Sequence, residues 1–473
     1  MNKFIKSLEL RWSDLLLLIG AGSFAFFIGF GQNFMAELNP NKTALPSWAV
    51  IILGLVMIGA FIGYLYLELY VRKVKYNRYI LFTFIFLLLL NVIVIFATPS
   101  TNYVSVIVRA KLTPTLPEGE IGDAKTLAIS VSTIHKFFFA FELFGTLALI
   151  YSAFFIFSKR IKNLKFIEYL GYAVFGIGVF LALYSYITEG SKYYHFINYF
   201  INKLKGTPES VDIIEYTVMS VFSHRNPLGM AYMLCIIFAF INHSFHKYWW
   251  HYLIAAFFFI NLIFTFNKTG LLISLLVILI YLIYRLIVTF KEHKKRNAIT
   301  AICVGTIVVI GALLIAIPYI TKGRVFGKIY ELIDELTKGG SSLDYRGYIW
   351  DNAYVLLQNG RWVIGRGFGI MNMLLRPMNY ASHGEDVIST HSGYLNNLAE
   401  GGILYLASFI ILIGYVSYIA YKSFRKERDL TISIYLGVLV FVLYTFVETN
   451  HYLAYLFMFP IFVLYHNQIE QKE

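Results

Sequence analysis

The chain has 473 residues, of which 58% are hydrophobic and only 14% are charged. A soluble globular chain carries about 25% charged residues, so this composition leaves too little polar surface and excludes a soluble globule of this size. The net charge of +13 does not indicate a nucleic-acid-binding protein, because the basic residues lie in short clusters between apolar runs. The composition predicts an integral membrane protein.

Apolar runs of the kind that helices need to cross the hydrocarbon core follow one another along the chain. They lie at residues 15–31, 48–70, 79–98, 137–157, 167–187, 228–243, 250–266, 269–290, 298–320, 402–420, 431–448 and 452–466. The sequence therefore predicts an all-α fold, a polytopic bundle of about 12 transmembrane helices.

Most basic clusters lie in every second connection between the predicted spans. They occupy residues 71–78, 158–165, 291–297 and 421–430, whereas short connections on the other side, such as 448–451, are poor in cations. Cytoplasmic loops of membrane proteins carry an excess of Lys and Arg. The pattern predicts that both the N-terminus and the C-terminus lie in the cytoplasm.

The chain divides into three predicted regions. Residues 1–320 form a bundle of nine spans, residues 321–401 form one large extracytoplasmic loop, and residues 402–473 form three further spans and the cytoplasmic C-terminus. Apolar residues at helical spacing between 325 and 336 predict a short helix within the loop, and a second helix is predicted between Asp344 and Asn359.

Two cations lie at predicted membrane edges, where a charge is costly unless it faces water or a partner. Arg225 opens the sixth span, and Lys268 lies in the short turn between the seventh and eighth spans. An anionic substrate is one interpretation, and snorkelling to the interface is the other. A guanidinium binds phosphate through two parallel hydrogen bonds, so Arg225, Arg346 and Arg366 suit a pyrophosphate better than Lys268 does. Arg361 is a secondary candidate.

Glycines at 365, 367 and 369 surround Arg366 in the loop. They are consistent with a phosphate cradle or with a sharp turn of the backbone. Downstream, His391 precedes the tenth span, and Glu400 at the start of that span is a second secondary candidate. A neutral histidine can accept a proton from a sugar hydroxyl, although a lone histidine is more often structural.

Motifs in the second half of the chain follow a family pattern. His391 and Ser392 are followed by nine residues and then Gly402, and an arginine in the large loop, Arg346, is followed by Trp350. In these motifs, and in architecture over most of its length, the chain resembles the O-antigen ligase and polymerase superfamily of bacterial surface-polysaccharide assembly.

Two further elements match the family. Gly365, Arg366 and Gly367 resemble its Gly-x-Gly element, and residues 265–270 resemble its turn that opens a transmembrane helix. Lys268 stands where the family usually has arginine, which preserves the charge but not the bidentate geometry.

The resemblance implies a glycosyltransferase of the bacterial cytoplasmic membrane that needs no metal or cofactor. Its substrate would be an oligosaccharide on undecaprenyl pyrophosphate at the outer face, and the reaction would invert the anomeric carbon. The catalytic base would be His391, and the cations that hold the pyrophosphate would be Arg225, Lys268, Arg346 and Arg366. The bilayer and the lipid-linked glycan are the expected partners, a chain-length regulator and a flippase are candidate partners, and nucleic acid is not expected.

Several functions stay open. We favour a polymerase of repeat units in capsular or O-antigen-type polysaccharide over a ligase that moves the finished glycan to a lipid, protein or wall acceptor. The reason is that the polymerase is the commoner role where no lipopolysaccharide is known to exist. A flippase or transporter of lipid-linked oligosaccharide is the rival of another class. Transporters usually show two similar halves and a site near the bilayer midplane. In this sequence the halves are unlike, and the polar residues gather at the external surface around one large loop. A scaffold or sensor whose loop binds a partner is a third possibility.

Overall fold

The computed structural model describes residues 11–34, 47–107, 124–205, 213–222, 225–292, 342–383, 389–446, 448–449 and 452–470. The chain forms two compact units. The first comprises Met1–Phe166, Leu343–Thr431 and Phe441–Glu473, and the second comprises Ile167–Ser342 and Ile432–Val440.

The described elements are mostly helices. In chain order they are α1 (Trp12–Phe34), α2 (Ser47–Leu65), α3 (Arg78–Ala97), β1 (Thr101–Ile107), β2 (Ala124–Ser130), α4 (Thr133–Tyr151), α5 (Lys165–Thr188), α6 (Gly190–Lys205), α7 (Arg225–His246), α8 (Trp250–Phe264) and α9 (Lys268–Glu292). They continue with α10 (Ser342–Leu357), α11 (Arg361–Ile364), α12 (Ile370–His383), α13 (Gly393–Phe424), α14 (Arg428–Tyr444) and α15 (Tyr452–Glu470). Helical turns extend α2 to Val71 and α4 to Arg160.

Seven of the described helices are long and apolar enough to cross a membrane. They are Ser47–Val71, Arg78–Ala97, Thr133–Arg160, Lys165–Thr188, Arg225–His246, Lys268–Arg285 and Gly393–Phe424. The prediction of a helical membrane protein is therefore confirmed. Every predicted span except the ninth coincides with a described helix, while the ninth span, 298–320, and the short helix predicted at 325–336 lie outside the described residues.

Glycines let helices of the first unit pack closely. A Cβ atom on Gly54 of α2 would lie 2.3 Å from the ring of Phe141, and one on Gly145 of α4 would lie 2.4 Å from the ring of Phe24. Membrane helices associate largely through such close packing, because lipid tails are as apolar as the side chains they replace. These contacts join α1, α2 and α4 into one core.

A two-stranded sheet departs from the all-α prediction. β1 and β2 pair antiparallel, with Thr101 opposite Ser130 and Ile107 opposite Ala124. Alternate residues of β1 are buried, and α12 packs against both strands. The alternating burial explains the strand, since a period of two places every second side chain on the buried face.

The second unit is built around α7, most of which is buried. Gly171 of α5 contacts Asn242 of α7, and the Asn242 amide donates to the carbonyl of Glu168 over 3.3 Å. The amphipathic α6 buries Phe196 and Tyr199 in a small aromatic cluster with Phe266. This cluster lies beside the turn between α8 and α9.

Candidate active site

His391 lies immediately before α13 and faces a carboxylate. Its Nδ1 lies 3.5 Å from Oε2 of Glu448, which follows α14. The His391 side chain is 26% exposed and that of Glu448 is 9% exposed, so the imidazole is reachable from outside while its partner is largely buried. Sequence reasoning missed this pairing as a site feature, since 57 residues separate the two and no local pattern links them.

The backbone around His391 is held on both sides. His391 has a left-handed φ of 49°, which an L-residue adopts only when its surroundings require it. The indole of Trp350 donates to the carbonyl of Thr390 over 2.9 Å, and the N–H of Gly393 donates to the carbonyl of Thr445 over 2.7 Å. These bonds fix the direction in which the imidazole leaves the chain.

Helix α10 connects several of the predicted site residues. Arg346 lies four residues before Trp350 on α10, so the two positions share one helical face. The helix begins at Ser342, so the predicted cap Asp344 lies inside its first turn, while Asn359 and Gly360 end it with left-handed φ values of 59° and 78°. The helix thus carries the predicted arginine and the indole that anchors the His391 segment.

Arg366 is anchored to the end of α10. Its Nε donates to the carbonyl of Leu356 over 2.6 Å. Burial and the nearby charge of Arg361 lower the pKa of the Arg366 guanidinium below its ordinary value. Two guanidinium groups close together create a positive potential that an anion would relieve. This surrounding fits a phosphate-binding role for Arg366.

The glycine-rich segment packs against α13. The N–H of Arg366 donates to the carbonyl of Ala399 and the N–H of Gly367 donates to the carbonyl of Glu400, each over 2.8 Å. A Cβ atom on Gly365, whose φ is 74°, would lie 2.2 Å from the Glu400 carbonyl oxygen. Position 365 therefore requires glycine, because the two backbones lie too close together for a side chain. The N–H groups of Arg366 and Gly367 are already bonded to carbonyls of α13. Of the two interpretations of this segment, the structure favours the turn over the phosphate cradle.

A kink in α13 makes this packing possible. Gly402 has φ 71° and ψ −171°, which breaks the helical hydrogen-bond pattern and frees carbonyls in the preceding turn. Glu400 is only 2% exposed, and its Oε1 accepts from the N–H of Gly369 over 3.2 Å and from the amide of Asn372 over 3.3 Å. Glu400 is therefore buried beneath the glycine-rich segment.

Arg225 and Lys268 belong to the second unit and lie near each other there. Thr265 follows the end of α8, and Asn267 caps α9 by accepting from the N–H of Gly270 over 2.9 Å, so the predicted turn does open a helix. Lys268 Nζ lies 5.4 Å and Arg225 Cζ 5.9 Å from the centre of the Phe266 ring. Both cations thus share one aromatic surface.

The helices and these residues define a class of protein, a polytopic membrane protein with a histidine and several cations at helix ends. Residues 253–410 match the family described as O-antigen ligase, which confirms the resemblance to the O-antigen ligase and polymerase superfamily. The match covers about a third of the chain and includes Lys268, Arg346, Arg366 and His391. No curated protein and no solved structure matches the chain.

Proposed function

We propose that this protein is an inverting membrane glycosyltransferase. It polymerises oligosaccharide repeat units carried on undecaprenyl pyrophosphate at the outer face of the bacterial cytoplasmic membrane, in capsular or O-antigen-type polysaccharide assembly. The observation that carries the proposal is the position of His391, partly exposed at the start of α13 and 3.5 Å from the Glu448 carboxylate. The family match supports the substrate class, since members of the superfamily act on lipid-linked glycans in the membrane.

In the proposed reaction His391 is the general base. Its Nδ1–H donates to Glu448, which leaves Nε2 free to take the proton of the acceptor hydroxyl. The acceptor oxygen then forms a bond to the anomeric carbon from the face opposite the phosphate. The bond from that carbon to the phosphate oxygen breaks, and undecaprenyl pyrophosphate leaves with the electron pair. Attack from the opposite face inverts the anomeric carbon.

The arginines stabilise the leaving group in this proposal. The side chain of Arg366 is anchored to α10 through its Nε, so its two terminal amino groups already have a fixed direction before substrate binds. Arg346 lies on the same helix. Preorganised cations stabilise charge that develops as a bond breaks. Arg225 and Lys268 are proposed as further pyrophosphate ligands and Arg361 as a secondary one. Glu400 positions the Arg366 segment rather than touching substrate.

The same proposal includes the topology of about 12 spans with both termini in the cytoplasm. It has nine spans in residues 1–320, an extracytoplasmic loop at 321–401, and three spans in 402–473. Helix α3 supports the orientation, because it begins in the basic segment 71–78 and the side chain of Thr98, which follows it, donates to the carbonyl of Arg366 over 3.4 Å. The Arg366 segment would then lie on the face opposite the basic connections.

A ligase is the second candidate, because the matched family is described as O-antigen ligase. The purified protein in lipid nanodiscs should be incubated with a lipid-linked repeat unit, with and without an added acceptor, and the products analysed by mass spectrometry. Glycans longer by whole repeat units indicate a polymerase, and transfer only to the acceptor indicates a ligase. Movement of the substrate across vesicles without any new glycosidic bond indicates a flippase and contradicts both. The oligosaccharide without pyrophosphate is the control and should not react.

A further inference from the structure

A shallow basic depression lies open on the surface of the first unit, where α2 and α4 end and α3 begins. Its volume is about 710 Å³, and its lining residues are Lys75, Tyr76, Asn77, Arg78, Tyr79 and Lys159. We call this depression the basic recess. Three of its lining residues are cations and none is acidic.

The basic recess lies at the ends of two candidate membrane spans. Arg78 is the first residue of α3, and Lys159 is the second-last residue of the candidate span Thr133–Arg160. Lys159 Nζ donates to the carbonyl of Lys75 over 2.7 Å, which holds the two segments together. Since α3 has 20 residues, the recess is about 30 Å from the far end of the helix, where Thr98 contacts the Arg366 segment. It is therefore separate from the candidate active site.

Among the described residues near this end of the unit, the carboxylates of Asp14 and Glu68 are already paired. Asp14 accepts from Arg160 over 2.9 Å, and Glu68 forms an ion pair with Arg72. Asp14 is 3% exposed and Glu68 is fully buried. These carboxylates therefore do not neutralise the three cations of the basic recess.

Side chains rather than backbone amides would recognise a ligand here. Asn77 Oδ1 accepts from the N–H of Tyr79 over 2.9 Å and from the N–H of Ile80 over 3.3 Å, so the first amides of α3 are in use. The guanidinium of Arg78 can bind a phosphate through two hydrogen bonds. Tyr79 is 85% exposed, and an amphipathic ring at this level suits the boundary between headgroups and acyl chains.

We propose that the basic recess binds the phosphate headgroup of an anionic glycerophospholipid from the leaflet at which α3 begins. Basic pockets between helix ends on the cytoplasmic side bind such headgroups in other membrane proteins. A lipid supplies both the phosphate and an acyl chain that continues beside the spans. The site is additional to the glycosyl transfer proposed above and does not depend on it.

The test compares two double variants of the full-length protein in detergent. Phosphatidylglycerol is added, and native mass spectrometry measures the dissociation constant of the bound lipid. Lys75→Gln with Arg78→Gln removes two exposed cations from the recess, and Lys73→Gln with Lys162→Gln removes two exposed cations that do not line it. Each recess charge is worth about a fivefold change in affinity, so the first variant should bind about 25-fold more weakly. The second should bind like the wild type.

Several results would overturn the proposal. An equal loss in both double variants would mean that general surface charge attracts the lipid. Equal binding of phosphatidylcholine would exclude recognition of a net negative headgroup. Displacement of the lipid by inorganic phosphate at similar concentration would indicate a free-phosphate site instead. Thermal unfolding of each variant checks folding, and the single variants Lys75→Gln and Arg78→Gln serve if a double variant unfolds.

Discussion

His391 Nδ1 and Glu448 Oε2 lie 3.5 Å apart in the first compact unit. His391 lies just before the start of α13, and Glu448 lies just after the end of α14. The Glu448 carboxylate faces the imidazole as a carboxylate does in enzymes that use histidine as a base, where it holds the ring in one orientation. In the proposed mechanism Glu448 is a positioning residue that acts through His391.

Glu448→Gln is expected to lower kcat about 10- to 100-fold with little change in KM, because the amide orients the ring less well and does not stabilise the imidazolium. Glu448→Asp should retain part of the activity. Steady-state elongation with a lipid-linked repeat unit measures both constants. A rise in KM at unchanged kcat would show that Glu448 binds substrate and does not act through His391.

Gly402→Ala is expected to destabilise the protein by about 2 kcal/mol or more. Its φ is 71°, and a Cβ atom there would lie 2.1 Å from the carbonyl oxygen of Val363. Gly414→Ala in the same helix is the matched control, since a Cβ atom there meets nothing within 4 Å. Thermal unfolding in detergent measures the difference. Equal unfolding temperatures for the two variants would argue against the described packing at the kink.

Arg366→Lys is expected to lower kcat about 10- to 100-fold, although the positive charge is kept. Lysine has no Nε–H for the Leu356 carbonyl, so the charge would lose its anchor. Arg425→Lys, at an exposed position of a basic connection, is the control and should leave elongation unchanged. Full activity of Arg366→Lys would mean that a point charge alone is sufficient there.

Glu189 makes stability depend on pH. Burial opposes ionisation, but hydrogen bonds from Lys192 over 2.6 Å and from the N–H groups of Ser220 and Met219 hold the pKa of Glu189 below its ordinary value of 4.5. Its stabilising contribution is therefore complete above about pH 4.5 and is lost as the pH falls through the lowered value.

Glu189→Gln should consequently unfold at a lower temperature than the wild type at pH 7, and the difference should shrink as the pH falls below 4.5. Thermal unfolding across this range measures the effect. A difference that stays constant with pH would mean that the charge of Glu189 does not stabilise the fold through its bonds to Lys192, Met219 and Ser220.

The apolar runs predicted the helices well, because a membrane requires long uninterrupted segments whose backbone groups bond internally. The strands β1 and β2 were not predicted, because in TNYVSVI only Val104, Ser105 and Val106 alternate in polarity, which is too short a pattern to indicate a strand. The turn before Lys268 was predicted from the short gap between two apolar runs and from the family resemblance, and the structure adds that Asn267 caps the helix that follows.

Contacts in the candidate site between residues that lie far apart in the chain could not be predicted from the sequence. The need for glycine at position 365 follows from a tertiary contact, because a Cβ atom there would lie 2.2 Å from the carbonyl oxygen of Glu400. Similarly, the anchor between Trp350 and Thr390 joins residues 40 positions apart. A single sequence shows which residues are chemically able to act, and tertiary packing decides which of them meet.

The most direct test is the rate of chain elongation by His391→Ala in a single turnover with saturating lipid-linked substrate. We expect the rate to fall at least about 100-fold, because a general base contributes that much or more, while the folded protein still binds the substrate. His246→Ala, at an exposed histidine at the opposite end of α7 from Arg225, should elongate normally. Elongation by His391→Ala at the wild-type rate would contradict the proposed base and the mechanism built on it.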